Sequence, residues 1–432
     1  MLKIVKSHAY IVAFNISWLV FFIIDLLIPA TSVFEMKWIA WGYSLGYVLL
    51  ASIIGVICVR LFAERLNYSR NESSRLTQKE INFIVLFTFL IALTGLIFLI
   101  IDRLWVQQID YSKGIAFARM QWISQGEART GVSSLFSVLG NLSVPFIYVP
   151  LSMVYLQWEK LGRRLRLIAI PAILFVLLAF SALYGGRTAI LLGLTVVASI
   201  SLIRIMSGKM ILPAFNRKAY VSILCLIIPL LIFVVYIVRE RVKMNDMDSY
   251  SYAVAIIQGL CGLTTERFEA IRYLGEPFAD VLYWLITVGS YIIHSMWSFE
   301  GVLAIPERPG TALFVTFLEL LHRIGLVPEQ THWLFWYQYI NLPGAVWYDF
   351  GMIGYIVVSI LHGGLLGLSC LMTSRKQADG LGVLFILSVI VISLLSPMCF
   401  AAQIFPFVFL IFAFTVTHFI VRITLGKRTW IY

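Results

Sequence analysis

The chain is dominated by long apolar runs that are separated by short polar stretches. Ten of these runs approach the length of about 20 residues that spans a bilayer as a helix. Inside a bilayer each backbone polar group needs a partner within the protein, and a helix supplies it. We therefore predict an all-α polytopic membrane protein, with about ten transmembrane helices in a single membrane domain. The runs are 9–29, 38–59, 82–101, 135–157, 167–183, 188–206, 219–238, 347–372, 381–397 and 403–421.

The composition and the charge agree with this class. The sequence is 60% hydrophobic and 13% charged, whereas soluble domains average about 45–50% apolar and about 25% charged. If the N-terminus is cytoplasmic, 20 of the 33 lysines and arginines fall in inner connections, against five acidic residues. The net charge of +11 then reflects the positive-inside rule. It indicates cytoplasmic termini and a lipid bilayer as partner, and no nucleic acid.

Two connections on the outer side are long, at 102–134 and 239–346. The second contains a further apolar piece at 281–293, which is too short to cross a bilayer easily. We expect this piece to form an interfacial or re-entrant helix. The outer connections should then build a structured, largely helical cap over the membrane domain.

The break between the runs 167–183 and 188–206 contains Gly185, Gly186 and Arg187. Glycines let a phosphate approach the backbone closely, a helix N-terminus favours anions, and a guanidinium can bind phosphate oxygens in a fork. An outward-facing turn of this kind predicts a site for a lipid-linked diphosphate. The alternative is an ordinary turn whose arginine extends to the lipid head groups.

Further candidate residues lie in the large outer connection. Arg239 and Arg241 follow the seventh run on the side where basic residues are disfavoured, so they could clamp a diphosphate, or anchor the interface beside Glu240. Arg267 and Arg272 belong to a charged stretch typical of a solvated helix face, where Glu269 and Arg272 are spaced to pair. A sugar hydroxyl needs a general base. This role suits a carboxylate or a histidine, and the spacing does not say which one. The further candidate residues in the large connection are His294, Glu300, Arg308, His322, Arg323 and His332.

Tyr348 and Asp349 lie where the chain re-enters the membrane. A carboxylate beside aromatic rings at the membrane edge could orient a sugar or accept its proton. The competing interpretation is that Asp349 caps the helix that starts there. The sequence has no P-loop, dinucleotide fingerprint, paired DxD or HExxH motif. We therefore expect no cofactor and no metal, and a substrate that reaches the outer face already activated.

The order of these features resembles the bacterial O-antigen (Wzy-type) polymerases, the oligosaccharide repeat unit polymerases. The likeness covers nearly the whole chain as architecture and about 30 residues as motif. The residues that carry it are the Gly-Gly-Arg-Thr-Ala turn at 185–189, Arg-Tyr-Leu-Gly-Glu-Pro at 272–277, Gly-Thr-Ala-Leu-Phe at 310–314, and Asn341 leading to Trp-Tyr-Asp-Phe-Gly at 347–351.

The resemblance implies a GT-C-like, inverting, metal-independent glycosyltransferase of the bacterial inner membrane. Its substrates would be undecaprenyl-diphosphate-linked glycans, and its partners a chain-length regulator and a flippase. Arg187, Arg239 and Arg241 would bind diphosphate. Asp349, Glu300 and His332 would be the catalytic candidates, and the residues expected to bind substrate are Gly185, Gly186, Arg267, Arg272, Asn341 and Tyr348.

Other functions remain open at this point. The related O-antigen ligases have a histidine followed directly by asparagine, whereas His332 is followed by Trp333, which favours polymerase. A flippase of lipid-linked oligosaccharides would commonly show internal repeats, and none is visible. Another lipid-linked glycan transferase of the same layout, or a non-catalytic scaffold, also fits the topology.

Overall fold

The computed structural model describes residues 8–63, 76–128, 131–186, 188–210, 242, 246–305, 311–328, 338–374 and 380–425. Within these ranges eight helices are long and apolar enough to cross a membrane. They are α1 (Ala9–Leu27), α2 (Lys37–Ala63), α3 (Gln78–Ile101), the pair α5 (Leu135–Ser143) and α6 (Tyr148–Leu156), α7 (Arg163–Tyr184), α8 (Thr188–Met206), α13 (Leu342–Ser374) and α15 (Phe405–Leu425).

The coarse prediction of an all-α, multi-pass membrane protein is therefore confirmed. Eight of the ten predicted spans correspond to these helices. The predicted span 381–397 is a shorter helix, α14 (Gly380–Leu395). The predicted span 219–238 lies outside the described residues.

The two ends of the helical bundle differ in what they carry. At one end, which we call the basic face, short connections bring Arg204 to Glu159, with 2.6 Å between Nη2 and Oε1. The start of α1 reaches the end of α13 on this side, where the Tyr10 hydroxyl donates to Thr373 Oγ1 at 2.8 Å. The opposite end, the loop face, carries the elements of the long connections.

Among the described residues, the loop face contains several short helices, one long helix and a small two-stranded sheet. The helices are α4 (Ile115–Glu127), α9 (Ser249–Gly259), α10 (Glu266–Ala270), α11 (Phe278–Ala304) and α12 (Val315–Arg323). Strand β1 (Ala30–Ser32), between α1 and α2, pairs antiparallel with β2 (Gly262–Thr264). This pairing ties the first connection between spans to the large late connection.

Helix α11 replaces the predicted apolar piece at 281–293 and is much longer, with 27 residues. Its Gly289 lies so close to Ile28, just after α1, that an added Cβ would be 2.2 Å from the Ile28 Cδ1 atom. Ser295 Oγ donates to the Pro397 carbonyl at 2.9 Å. Nearer its start, α11 exposes Phe278, Val281 and Leu285, whose spacing places them on one side of the helix.

The tightest contact between two membrane helices is the crossing of α2 and α13. A Cβ added at Gly363 would lie 2.3 Å from the Ala51 carbonyl oxygen, and one at Gly367 would lie 2.7 Å from the Gly55 carbonyl oxygen. Small residues spaced four apart on both helices let the backbones approach. The crossing fixes the position of α13, whose first turns lie at the loop face.

Candidate functional site

The glycine turn at the loop face ends one helix and leads into the next. Gly185 adopts a left-handed φ of 54° after α7, a conformation that glycine adopts without steric cost. The N–H groups of Gly185 and Gly186 donate to the carbonyls of Ala182 and Ser181, at 3.0 and 3.1 Å. This is a Schellman motif. Gly185 thus closes α7, and α8 begins three residues later at Thr188.

Both long connections reach this turn. From the first, Arg119 Nη1 donates to the carbonyls of Tyr184 and Gly185, at 3.2 and 3.1 Å. A Cβ at Gly185 would lie 2.7 Å from the Arg119 Cβ, so only glycine fits here. From the second, the Tyr339 side chain lies close to Thr188 and within the electrostatic reach of Arg119. The turn is therefore held between two connections that are far apart in sequence.

A second arginine lies beside the turn and is buried. Arg103 is 2% exposed, and its guanidinium carbon lies 4.4 Å from the ring centroid of Trp122 and 5.1 Å from that of Tyr184. Its Nη1 lies 3.5 Å from Asp102 Oδ2. Cation–π contacts of this kind gain strength when the cation is desolvated. The arrangement packs the first connection against the last turn of α7.

Asp102 is fully buried and has several donors. Its Oδ1 accepts from the hydroxyls of Ser133 and Ser134, at 2.8 and 2.6 Å, and its Oδ2 accepts from the Gln107 side chain. A buried charge is tolerated when it is paired and hydrogen-bonded. Asp102 thereby joins the beginning of the first long connection to its end.

The segment 338–341 connects the turn to α11. The Tyr339 N–H donates to His294 Nε2 at 3.0 Å, and His294 Nδ1 lies 2.8 Å from the Tyr291 carbonyl. Since a carbonyl only accepts, the proton sits on Nδ1 and the ring is neutral. Burial lowers the pKa of His294 to about 4. His294 thus holds the segment as a neutral acceptor, and its predicted role as a general base is not tested.

Glu300, a predicted catalytic residue, is buried where α11 meets the connection between α1 and α2. Its Oε2 accepts from the Met36 N–H at 3.0 Å, and its buried Oε1 has no hydrogen-bond partner in the described part of the chain. Next to it, Asp25 Oδ2 accepts from Lys37 Nζ at 2.8 Å and from Trp41 Nε1 at 2.9 Å. Burial raises the pKa of Glu300 to about 7, although the bond from Met36 lowers it.

Asp349 fastens a loop to α13. It lies two residues before Gly351, where a φ of 62° kinks the helix. Its carboxylate accepts from Thr311 Oγ1 at 2.6 Å and from the N–H groups of Ala312 and Leu313 at 2.7 and 2.9 Å. Asp349 does not act as the predicted helix cap, because its carboxylate accepts from residues 311–313 of the loop and not from the N–H groups of α13.

Two predicted substrate-binding residues support the start of α13. Asn341 is the actual cap, since its Oδ1 accepts from the Gly344 N–H at 2.8 Å. Asn341 and Tyr348 are both buried, with exposures of 0% and 2%. Their contact with a substrate stays a prediction.

Arg267 and Arg272 lie in a separate exposed cluster at α10. Glu269 and Arg272, which were predicted to pair with each other, both contact Tyr250 instead. The Tyr250 hydroxyl donates to both Glu269 oxygens, at 2.8 and 3.0 Å, while the Arg272 guanidinium carbon lies 3.6 Å from the Tyr250 ring centroid. Tyr250 thus satisfies both charges at once.

Two other candidates from the large connection are engaged locally. His322 Nδ1 lies 3.2 Å from the Val327 carbonyl, and Arg323 pairs with Glu319 at 2.9 Å, one helical turn apart. The remaining predicted site residues lie outside the described residues. They are Arg187, Arg239, Arg241, Arg308 and His332.

Sequence reasoning did not identify Arg103, Arg119 and Tyr339. A signal was available for Arg103, because the pair Asp102-Arg103 ends an apolar run on the outer side, where basic residues are disfavoured. The same reasoning singled out Arg239 and Arg241. Tyr339 carries no local signal, since only the fold brings it to Thr188.

Among the described residues no three His, Cys, Asp or Glu side chains gather as a group that could hold a metal ion. No family model, curated protein or solved structure matches the chain. The function is therefore argued from the residues and their geometry.

Proposed function

We propose that the protein is a membrane glycosyltransferase that polymerises oligosaccharide repeat units carried on undecaprenyl diphosphate, at the periplasmic side of a bacterial inner membrane. The observation that carries the proposal is the meeting of both long connections at the Gly185-Gly186 turn, through Arg119 and Tyr339. Joining two lipid-linked glycans requires a site at the membrane surface that holds both in line, because proximity lowers the barrier. A turn that contacts both long connections could position two substrates side by side at the membrane surface.

The proposed reaction uses a donor that is already activated. The bond between the anomeric carbon of the growing glycan and its diphosphate breaks, while the hydroxyl oxygen of a new repeat unit attacks that carbon from the opposite face. The hydroxyl proton passes to a base, and the diphosphate departs with negative charge. Arg187, Arg239 and Arg241 are the residues that we propose to stabilise this charge electrostatically. In this proposal the lipid diphosphate is itself the leaving group, so the reaction needs neither a nucleotide-linked donor nor a metal ion.

Glu300 is the base candidate that we would test first. A general base works best when its pKa lies near the working pH, and the pKa of Glu300 is raised to about 7. Asp349 already accepts three hydrogen bonds from residues 311–313, so its oxygens are occupied by the protein itself. His332 keeps its place as the third candidate.

The test is a gel of surface glycans from a strain that lacks the protein and carries a plasmid copy. For a polymerase, deletion leaves one repeat unit on each lipid core. Surface loss with internal accumulation would instead indicate a flippase, and free polymer not joined to core would indicate a ligase. Arg187→Ala should insert normally and still give single repeats. A normal ladder from a well-expressed Arg187→Ala variant would contradict the assigned role of this arginine.

A further inference from the structure

A groove opens at the basic face between the beginnings of α3 and α7. Its volume is about 530 Å³. Towards the bilayer its wall is apolar, and the side chains of Leu86 and Ile168 are 50% and 64% exposed. At the end of the groove that faces away from the bilayer, it is lined by the exposed side chains of Arg163 and Arg164. The groove therefore combines a hydrocarbon surface with a cationic mouth.

The positive charge at this mouth is not neutralised within the described part of the chain. The first turn of α7 contains no acidic residue, and Gly162 provides no side-chain cap, so the positive end of the helix dipole adds to the two arginines. The nearby carboxylates are used elsewhere. Glu159 pairs with Arg204 at 2.6 Å, and Glu80 bonds the backbone and hydroxyl of Thr77.

We propose that this groove binds an anionic phospholipid from the leaflet at the basic face. The phosphate would lie between Arg163, Arg164 and the free amides at the start of α7, where charge complementarity favours an anion. An acyl chain would cover Leu86 and Ile168. A soluble phosphate would use the arginines but leave the apolar wall uncovered, and a zwitterionic lipid would bring no net charge. The site is independent of the proposed glycosyl transfer.

The test is native mass spectrometry of the full chain in a neutral detergent, titrated with phosphatidylglycerol or with phosphatidylcholine of the same acyl chains. We expect phosphatidylglycerol to bind at least tenfold more tightly. The double variant Arg163→Gln/Arg164→Gln should lose about thirtyfold in affinity for phosphatidylglycerol, because each basic side chain at an anionic lipid contributes about fivefold and two are removed. Arg422→Gln is the matched control, since Arg422 is exposed in the last turn of α15 at the same face.

Three results would overturn the proposal. The first is equal affinity of the wild-type protein for the two lipids, which needs no variant to observe. The second is an equal loss of affinity in the control and the double variant, which would indicate a general surface charge effect. The third is full competition by glycerol 3-phosphate at equal concentration, which would show that the apolar wall takes no part.

Discussion

Two regions of the molecule are stabilised by different interactions. One is the crossing of α2 with α13, and the other is the loop face with its buried polar side chains. The crossing depends on shape: glycines bring Gly363 against the Ala51 backbone and Gly367 against that of Gly55. The loop face depends on polar pairing, since the buried side chains of Asp102 and Arg103 contact each other. Lipid is as apolar as the helices it surrounds, so apolar burial does not drive helix association there, and close packing with a few interhelical hydrogen bonds takes its place. At the loop face the unfolded chain can be hydrated, so a buried charge needs partners.

The largest effect is expected from Gly363→Leu, which attacks the shape-dependent region. A Cβ at this position would lie 2.3 Å from a backbone oxygen, and backbone cannot rotate away as a side chain can. Overpacking in a core typically costs 1–3 kcal/mol, and we expect about 3 kcal/mol or more here. The measurement is the unfolding midpoint of the purified protein in detergent, together with the yield of inserted protein.

Gly364→Leu is the matched control, because a Cβ added at Gly364 meets nothing within 4 Å. The two glycines are neighbours on the same helix, so helix propensity and hydrophobicity change equally in both variants. If both variants lose the same stability, close approach at Gly363 does not hold the crossing.

A smaller effect is expected from Asp102→Ala, which attacks the charge-dependent region. The substitution removes the acceptor of three side-chain donors and leaves Arg103 buried without its carboxylate. Removing one partner of a buried ion pair costs about 3–5 kcal/mol, and the ring contacts of Arg103 should hold the loss near 3 kcal/mol. Thermal unfolding measures it, and proteolysis of the first long connection should speed up.

Asp110→Ala provides the comparison for Asp102→Ala within the same connection. Asp110 is partly exposed and lies 3.8 Å from Lys113. Exposed pairs of this kind contribute little, so its unfolding midpoint should stay close to that of the wild type. An equally unstable Asp110→Ala variant would mean that the connection is sensitive to any lost carboxylate, and that burial does not set the difference.

The comparison also explains which parts of the fold could be predicted from the sequence. Spans follow from apolar runs, because lipid contact makes a continuous apolar stretch necessary. The length of α11 was missed, since its second half contains His294, Ser295 and Glu300. These polar residues read as loop, yet each is buried and has a hydrogen-bond partner in another element or in the turn before it. Tertiary contacts, which have no local signature, extended the helix.

The candidate site divides in the same way. The turn at Gly185 and Gly186 could be predicted, because two glycines between apolar runs are a local pattern. Its neighbours Arg119 and Tyr339 could not, because they come from positions 66 residues before and 154 residues after Gly185. Contacts between residues that are far apart in the sequence are therefore the part of the candidate site that the sequence alone does not predict.

The third prediction concerns the pH dependence of stability. It tests whether ionising the buried Glu300 carboxyl lowers the free energy of unfolding. The pKa of Glu300 is raised from 4.5 to about 7 by burial, so the folded protein binds this proton more tightly than the unfolded chain does. The stability from this proton is complete below about pH 4.5 and is lost as the pH rises through 7. Between pH 5 and pH 8 the loss should be about 2 kcal/mol. Unfolding midpoints measured across that range test it.

Glu300→Gln isolates this contribution, because glutamine keeps the size of the side chain and an acceptor for the Met36 N–H but does not titrate. Other groups also titrate in the range: the pKa of His294 is lowered to about 4, so His294 favours the folded state more as the pH rises from about 4 to 6.5. The informative quantity is therefore the difference between wild type and Glu300→Gln, which cancels the histidine. The variant should gain stability relative to the wild type from pH 5 to pH 8. If the difference does not change with pH, the pKa of Glu300 is the same in the folded and unfolded states. Burial of this carboxylate beside the connection between α1 and α2 would then carry no cost, although Asp102 at the same face is buried with several hydrogen-bond donors.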